Sequence, residues 1–394
     1  MQHDNDPVII SAVRTPLGGF GGKLSKTGAT DLGAIVIQEA LARCGITKEQ
    51  VKEVIMGIVL PCGYGQNPAR QAAIKAGIPM ATGCLTINKV CGSALMAAVI
   101  AAEFVKSGYA DVIVAGGMEN MNMAPFYLPD ARWGARMGET KLVDHMVHDG
   151  LWDIVNDFHM GISNDLISEK YHISREDQDR YALRSYERAL NSIANGVFKD
   201  EIVPVTIKSK KGDEIFDTDE CPRPTSMEAL SKMKPAFQKN GFATAGNSSV
   251  ISDGASAVVI TSRKKAKELG ITPLVKIVGT GTDGIELKYV LLAPINSIPK
   301  VCKSAGIPLE KIELHEINEA FAGSTVAVMR LLGLDEEKVN VNGGCVALGH
   351  PIGASGARVL TTLMYEMKKR KATLGEASLC LGGAEAVTMI VENI

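Results

Sequence analysis

The feature that most restricts the fold of this chain is an internal repeat, because two stretches present the same order of strands, helices and glycine turns. In each stretch an apolar segment precedes a helical pattern closed by glycine, and two further apolar segments follow, the last ending in a Gly-Gly pair. The corresponding segments are 8–10, 51–59 and 112–117 in the first stretch, and 274–278, 312–317 and 378–383 in the second. Such a chain is expected to fold as two similar units about a pseudo-twofold axis.

Short apolar strands that alternate with helical patterns are typical of parallel β-α-β units, whose strands are covered on both faces. The predicted class is therefore α/β, with two repeated β-α-β-α-β half-domains. In such sheets, ligand sites gather at strand ends and at helix N-termini. Both Gly-Gly turns are predicted to lie there.

Residues 121–248 have no counterpart in the second stretch and are predicted to form an insertion. A helix is expected over Ser174–Asn195, because Ser174 is a good N-cap, acids follow in the first turn and Gly196 ends the pattern. Prolines at 222, 224 and 235 then indicate an irregular stretch. Insertions of this kind commonly form substrate lids.

The chain of 394 residues exceeds the roughly 250–300 residues at which single cores stop growing. The predicted division has three parts. They are an N-terminal half made of 1–120 and 249–272, an inserted lid or loop domain at 121–248, and a C-terminal half at 273–394.

The formal net charge of −2 argues against a nucleic-acid or membrane partner held by a global electrostatic field. The segment Met1–Asp6 is acidic and polar, without the features of a signal peptide, and no stretch approaches 18 uninterrupted apolar residues. A cytoplasmic protein is expected. The eight cysteines form no C-x-x-C pair and no cluster with histidine at zinc-ligand spacing, so neither a disulfide framework nor a structural metal is expected.

One candidate nucleophile is Cys91, which directly precedes an almost wholly apolar helical pattern at 95–105. At the N-terminus of a buried helix, unpaired N–H groups and the helix dipole favour the thiolate, which is the nucleophilic form of cysteine. A buried, inert cysteine near a helix start would have the same sequence context. Position alone leaves both interpretations open.

A glycine-rich segment, 342–356, surrounds a single histidine, His350. So many small residues indicate close packing of the backbone against a ligand, and Pro351 makes a helix that begins just after His350 plausible. A histidine held there could accept a proton from a thiol as a general base. Without a partner, a core or cap histidine is the simpler interpretation.

A second thiol, Cys380, lies at the end of the last predicted core strand, beside Gly382-Gly383. It could exchange protons with a substrate carbon, while N–H groups of the turn could donate to a developing oxyanion. A plain core cysteine is the alternative.

Four blocks of this sequence resemble, in order and approximate spacing, the catalytic motifs of the thiolase family. They are Asn88-x-Val90-Cys91-x-Ser93, Asn318-Glu319-Ala320-Phe321, Asn342-Gly343-Gly344 with Gly349-His350-Pro351, and Cys380-x-Gly382-Gly383. Further similarity at 14–16, 65–71 and 244–247 extends the resemblance to essentially the whole chain.

The resemblance implies the thiolase fold, with layers in the order α-β-α-β-α, and a two-step acyl transfer. Cys91, activated by His350, would be acylated by a CoA thioester, and Cys380 would take an α-proton from acetyl-CoA for a Claisen condensation. His350 and a water held by Asn318 would serve the enolate oxygen. The backbone N–H groups of Cys91 and Gly382 would serve the acyl-enzyme intermediate. CoA is then substrate and product, and neither a metal nor another cofactor is implied.

Within the family, the insertion resembles that of short-chain biosynthetic enzymes, which act on acetyl-CoA, acetoacetyl-CoA and CoA. The resemblance places Met160 and Phe321 at the walls of the acyl pocket and His159 beside the pantetheine arm. It places Leu151, Arg223 and Ser249 at weaker CoA contacts, where each also fits an ordinary structural role. It also implies a homodimer or homotetramer.

The sequence departs from the family pattern at Val250, at Val290 and at Ala384-Glu385-Ala386, where glycine, methionine and a third turn glycine are usual. These departures leave the acyl range open, so a degradative 3-ketoacyl-CoA thiolase of broader chain length is the nearest alternative. A thiolase-like protein that binds acyl-CoA without turnover is a second. The four reactive positions Cys91, Asn318, His350 and Cys380 argue against that second alternative.

Overall fold

The computed structural model describes residues 4–210 and 212–394. The first three residues of the acidic segment considered above, Met1–His3, lie outside the described residues. Within the described ranges the chain forms a mixed α/β structure built on one continuous sheet.

The strands, in chain order, are β1 (Pro7–Arg14), β2 (Gly18–Gly19), β3 (Glu53–Gly57), β4 (Gly83–Ile87), β5 (Val112–Asn120), β6 (Phe126–Tyr127), β7 (Val143–Asp144), β8 (Trp152–Asp153), β9 (Phe158–His159), β10 (Val205–Ile207), β11 (Glu214–Phe216), β12 (Ser252–Ser262), β13 (Val275–Gly284), β14 (Leu314–Ile317), β15 (Leu374–Leu381) and β16 (Glu385–Asn393).

The α-helices are α1 (Ala29–Cys44), α2 (Pro68–Lys75), α3 (Ser93–Lys106), α4 (Met160–Lys170), α5 (Arg175–Ala194), α6 (Met227–Ser231), α7 (Arg263–Glu268), α8 (Pro294–Ala305), α9 (Ala322–Leu332), α10 (Cys345–Leu348) and α11 (Ser355–Arg370).

The strand order confirms the repeat. The sheet runs β14-β15-β16-β13-β1-β12-β5-β3-β4, with the two halves joined where β1 meets β13. Strand β3 pairs in parallel with β5, and β14 pairs in parallel with β15. An antiparallel strand follows at the same place in each half, β12 beside β5 and β16 beside β15.

Those antiparallel strands correct the expectation of purely parallel units. They also correct the placement of Cys380 on the last core strand, because it lies on β15 and β16 follows. Strand β15 turns back at once into β16, with Cys380 opposite Ala386. The reversal is possible because Gly383 and Ala384 adopt positive φ values of 87° and 62°. Such a tight turn makes an antiparallel neighbour, where a helical crossover would have made a parallel one.

The helices form the layers of an α-β-α-β-α arrangement, as predicted. Helices α1 and α2 pack on one face of the first half of the sheet, and α8 packs on the second half. Helices α3 and α11 contact each other and strands of both halves, so they form the central layer. The helix expected to be buried after Cys91 is therefore one of the two central helices.

The insertion contains the predicted helix. Helix α5 begins after the N-cap Ser174, whose hydroxyl accepts from the backbone N–H of Asp177, and Gly196 follows its end with a φ of 66°. Strand β12 lies between β1 and β5, which supports the assignment of 249–272 to the N-terminal half. The three-part division itself stays a prediction.

Two buried networks attach the insertion to the halves. Arg14, at the end of β1, pairs with Glu201 at 2.6 Å and with Asp219 at 2.7 Å. Glu319, in the loop between β14 and α9, accepts hydrogen bonds from Tyr181 and Ser185 of α5, each at 2.8 Å. The insertion is thus held rigidly against both halves where they approach the predicted site.

Across the part of the chain that the structure describes, no helix has both the length and the apolarity needed to cross a membrane. Among the same residues, no group of three or more His, Cys, Asp or Glu side chains is placed to hold a metal ion.

Candidate active site

The predicted site residues meet in one apolar cavity of about 410 Å³. Ten of them line it: Cys91, Leu151, His159, Met160, Arg223, Ser249, Phe321, His350, Cys380 and Gly382. Asn318 does not line the cavity but contacts Nε2 of His350. A larger groove of about 650 Å³ between α3 and β13 contains none of these residues. Choosing a candidate site by cavity volume alone would therefore miss them.

Cys91 projects from a strained turn between β4 and α3. Val90 has a φ of 47°, which is a costly conformation for a β-branched residue. The hydroxyl of Ser93 stabilises the turn, because it accepts from the backbone N–H of Lys89 at 2.8 Å and donates to the carbonyl of Val90 at 2.6 Å. The turn aims the Cys91 sulfur into the cavity.

Two backbone N–H groups approach that sulfur, one from Cys91 itself and one from Gly382. They come from the two halves of the repeat, since Gly382 follows β15 and Cys91 follows β4. This pair of donors is the arrangement that would stabilise an oxyanion on an acyl group attached to Cys91.

The protonation state of Cys91 differs from the expectation. Burial raises the pKa of the Cys91 thiol to about 12, against the smaller opposing effect of the N–H donors. Helix α3 begins only at Ser93, after the N-cap Gly92, so Cys91 lies outside the first turn, where a helix dipole acts most strongly. The resting group is therefore a thiol, and its activation requires a base.

His350 is oriented by a hydrogen-bond chain. Its Nδ1 lies 2.6 Å from the hydroxyl of Ser355, and that hydroxyl donates to the carbonyl of Pro351 at 3.0 Å. Because the hydroxyl hydrogen is used on Pro351, Nδ1–H donates to Ser355 and Nε2 keeps a free lone pair. Burial, and then the charge of Arg358, lower the pKa of His350 to about 3. A neutral imidazole with a free Nε2 is the form required of a base.

The helix expected directly after His350 starts later. Helix α11 begins at Ser355, after a turn in which the backbone N–H groups of Ala354 and Ser355 donate to the carbonyl of Pro351. The backbone N–H of Gly353 in this turn donates to the carboxylate of Glu119 at 2.9 Å. Glu119 also accepts from the N–H groups of Val59 and Leu60 at 3.0 and 3.3 Å. This buried carboxylate joins the His350 loop to the first half.

The glycines around His350 pack against protein, which corrects the expectation that they face a ligand. A side chain at Gly344 would meet Glu319 at 2.2 Å, and one at Gly356 would meet the backbone of Leu95 at 2.3 Å. They allow α11 and its loop to approach α3 closely, and so bring His350 toward Cys91.

Asn318, another predicted site residue, contacts Nε2 of His350. Its Nδ2 lies 3.4 Å from Nε2 of His350, and its Oδ1 lies 3.1 Å from the sulfur of Cys345. The guanidinium of Arg358 donates to the same sulfur at 3.0 Å. Cys345 and Arg358 are buried, at 0% and 1% exposure.

The second thiol, Cys380, is buried at 4% exposure. Burial raises its pKa strongly, and the neighbouring Cys91 and Cys345 raise it further. Cys91 is thus close enough to Cys380 to influence its ionisation.

The wall of the cavity includes an aromatic residue that the sequence did not single out. Phe237 stacks on His159 with ring centroids 4.4 Å apart and meets Phe321 edge to face at 5.8 Å. Gly161 is necessary beside it, since a side chain there would meet the Phe237 ring at 2.2 Å. Met160 lies next to this group, so the predicted acyl-pocket residues do share one wall.

The residues that depart from the family pattern lie in three places: the cavity wall, the core behind it and the turn after β15. Val250 lines the cavity, whereas Val290 is buried in the core behind it at 1% exposure. Ala384 takes the positive φ that a third turn glycine would take without strain. Glu385 forms an ion pair with Lys89 and so connects the turn of Gly382 with the turn of Cys91.

Sequence reasoning missed Ser355, Glu119, Cys345 and Phe237. Ser355 lies in the glycine-rich segment, five residues after His350. At the start of a helix this spacing allows the two side chains to form a hydrogen bond, so the sequence did contain a usable signal for it. Glu119 follows the first Gly-Gly pair but acts on residues distant in sequence, and Phe237 lies in irregular chain. No local pattern marks those two.

Two family models together cover almost the whole chain: the thiolase N-terminal domain matches residues 7–264 and the thiolase C-terminal domain matches residues 271–393. Acetyl-CoA acetyltransferases of Syntrophomonas wolfei and Pseudomonas aeruginosa are 52% and 50% identical to this chain, over 98% of it and over 99% and 98% of their own lengths. The crystal structure of the Bacillus anthracis acetyl-CoA acetyltransferase matches it with a TM-score of 0.98 and 41% identity, covering 100% of both chains. The chain therefore belongs to the thiolase family.

Proposed function

We infer that this chain is an acetyl-CoA acetyltransferase, which condenses two molecules of acetyl-CoA to acetoacetyl-CoA and CoA and catalyses the thiolysis in reverse. The relatives of 50% and 52% identity carry that name over their full lengths. The observation that carries the proposal is that Cys91, His350 and Cys380 face one cavity, with two N–H donors directed at the Cys91 sulfur.

The first half-reaction acetylates Cys91. Its thiol proton passes to Nε2 of His350 as the sulfur attacks the thioester carbonyl, and the N–H groups of Cys91 and Gly382 hold the oxyanion. The bond from carbon to the CoA sulfur breaks, and the CoA thiolate takes the proton of Cys380. The site then holds an imidazolium and a thiolate, so its net charge does not change.

The second half-reaction forms the carbon–carbon bond. The Cys380 thiolate, a strong base because burial raises its pKa, removes an α-proton from a second acetyl-CoA. The enolate oxygen receives hydrogen bonds from Nε2–H of His350 and from a water held by Asn318. The carbanion attacks the acetyl carbonyl, the bond to Cys91 breaks, and the Cys91 sulfur regains the proton from His350.

The CoA arm is proposed to enter over the insertion. Leu151, His159 and Ser249 line the cavity, and the guanidinium of Arg223 lies over the ring of Tyr186 at 6.0 Å. Met160, Phe237 and Phe321 close the acyl end. CoA serves as substrate and product, and the proposed steps draw on no other cofactor. A homodimer or homotetramer and a cytoplasmic location stay predictions.

The test is a steady-state assay of thiolysis with acetoacetyl-CoA and with a long-chain 3-ketoacyl-CoA. A long chain must displace Met160 or an aromatic neighbour, and overpacking a site costs about 1–3 kcal/mol. We expect kcat/KM to be about five- to 150-fold higher for acetoacetyl-CoA. Equal kcat/KM values would favour the degradative thiolase of broader chain length, and the absence of any thiolysis would favour a non-catalytic acyl-CoA-binding protein.

A further inference from the structure

A third thiol, Cys345, lies behind the cavity and has no part in the proposed chemistry. It is the first residue of α10, at 0% exposure. Its sulfur is 3.0 Å from Nη2 of Arg358 and 3.1 Å from Oδ1 of Asn318. The contacts form a chain from a buried guanidinium, through the thiol, to the amide that touches His350.

The direction of each hydrogen bond in this chain follows from its members. A guanidinium has only donors, so the Cys345 sulfur accepts from Arg358. Its single hydrogen is then free for Asn318, whose Oδ1 must be the acceptor. The other end of the amide, Nδ2, consequently faces Nε2 of His350 at 3.4 Å.

The opposite orientation of the amide is disfavoured. It would direct Oδ1 at the lone pair of Nε2, because Nδ1–H of His350 is already used on Ser355. The backbone of Asn318 is fixed independently, since its N–H donates to the carbonyl of Ser378 at 2.9 Å. Only the side-chain amide remains to be oriented, and Cys345 fixes its Oδ1 end while His350 lies at its Nδ2 end.

We propose that Cys345 is a positioning residue, which holds the Asn318 amide with its N–H side toward the site of the enolate. This inference rests on the proposed function, in which Asn318 holds the water that stabilises the enolate oxygen. Cys345 does not line the cavity and reaches the site through Asn318, so we expect it to affect the carbon–carbon step and to leave acetylation of Cys91 intact.

The experiment compares three variants in two assays. Exchange of isotope-labelled CoA into acetyl-CoA reports the acetylation of Cys91, and thiolysis of acetoacetyl-CoA adds the carbon–carbon step. Cys345→Ala removes the donor to Asn318, whereas Cys345→Ser keeps a hydroxyl donor. Cys302→Ala is the matched control, because Cys302 is another buried cysteine, at 4% exposure on α8.

We expect Cys345→Ala to lower kcat of thiolysis by about three- to tenfold, while exchange stays within about twofold of wild type. Cys345→Ser should restore most of the thiolysis rate, and Cys302→Ala should alter neither rate. An equal loss in both assays, or no loss in either, would overturn the proposal. If the wild type itself exchanged no CoA and cleaved no acetoacetyl-CoA, the proposed function would fail instead.

Discussion

At the scale of single residues, the reacting groups of the site, Cys91, His350 and Cys380, are buried and uncharged at rest. The pKa of Cys91 is raised to about 12 and that of His350 is lowered to about 3, because burial disfavours the charged form of each. Charge therefore develops only when a thioester occupies the cavity. The orientation of neutral groups, above all of His350, then decides the rate.

Ser355→Ala tests that orientation. The change removes the acceptor of Nδ1–H, so His350 loses the contact that keeps Nε2 free, and we expect kcat/KM to fall about tenfold. The control is Ser256→Ala, which removes a buried hydroxyl that donates to Val13 at 2.8 Å. Thermal unfolding and steady-state kinetics should give similar stability losses but a kinetic loss for Ser355→Ala alone. Equal activity of the two variants would contradict the role of Ser355.

The resemblance to the thiolase motifs assigned Cys91, His350, Cys380 and Gly382 to one site, and the four line one cavity. Without that resemblance, each position also fitted an ordinary structural role. The sequence could not predict the protonation of Cys91. A helix start suggests a thiolate, but the pKa depends on how completely other elements cover the sulfur, and that burial is set by tertiary packing.

At the scale of elements, the insertion depends on buried charges for its attachment to β1. Arg14 is fully buried and is neutralised by Asp219 and Glu201 from the insertion. The same carboxylate of Asp219 accepts from the backbone N–H of Leu17 at 2.8 Å. The attachment therefore fixes both the end of β1 and the chain that follows it.

We predict that Asp219→Asn lowers the free energy of unfolding by about 3–5 kcal/mol, because it breaks a buried ion pair. Both oxygens of Asp219 accept from Arg14, at 2.7 and 2.9 Å, and the amide NH₂ of asparagine would face one of those guanidinium N–H groups as a second donor. Glu214→Gln is the matched control: it breaks the exposed ion pair with Lys23, another link to the insertion, and should leave the free energy of unfolding nearly unchanged because solvent screens that pair. Urea unfolding measures both. Equal losses would mean that the buried pair contributes no more than the exposed one.

Elements were predictable where the sequence is periodic and capped, as for α5 after Ser174. They were missed where a distant partner decides the conformation. Strand β16 exists because the turn at Gly383 and Ala384 returns the chain beside β15. The turn before α11 is held to the first half by Glu119, which accepts from the N–H of Gly353.

At the scale of the whole molecule, the two halves contribute complementary parts to one site. The first half supplies Cys91, and the second supplies His350, Asn318 and Cys380. Their central helices, α3 and α11, pack against each other and so set the separation of nucleophile and base. Buried ionisable groups in this region make the stability of the fold depend on pH.

Glu316 is expected to carry part of that dependence. Burial raises its pKa to about 8, although the charge of Arg358 opposes the shift. Between pH 4.5 and 8 the folded protein holds a proton that the unfolded chain has lost, so stability falls as pH rises through this range. His159 and His350, whose pKa values burial lowers, contribute in the opposite sense and only below about pH 6.5.

Glu316→Gln should therefore reduce the loss of stability between pH 7 and pH 9 by about 1 kcal/mol. The measurement is urea unfolding of wild type and variant at both pH values. The absolute stability of the variant is irrelevant to the test, because only the difference between the two pH values is compared. An unchanged difference would mean that Glu316 does not titrate in this range.

The central claim is that Cys91 is the nucleophile and that Cys380 acts on protons alone. It is tested most directly by mass spectrometry of proteolytic peptides after brief incubation of the wild-type enzyme with acetoacetyl-CoA. The account predicts an added acetyl group on the peptide that contains Cys91 and none on the peptide that contains Cys380. Acetylation of the Cys380 peptide alone would reverse the two roles and contradict the account.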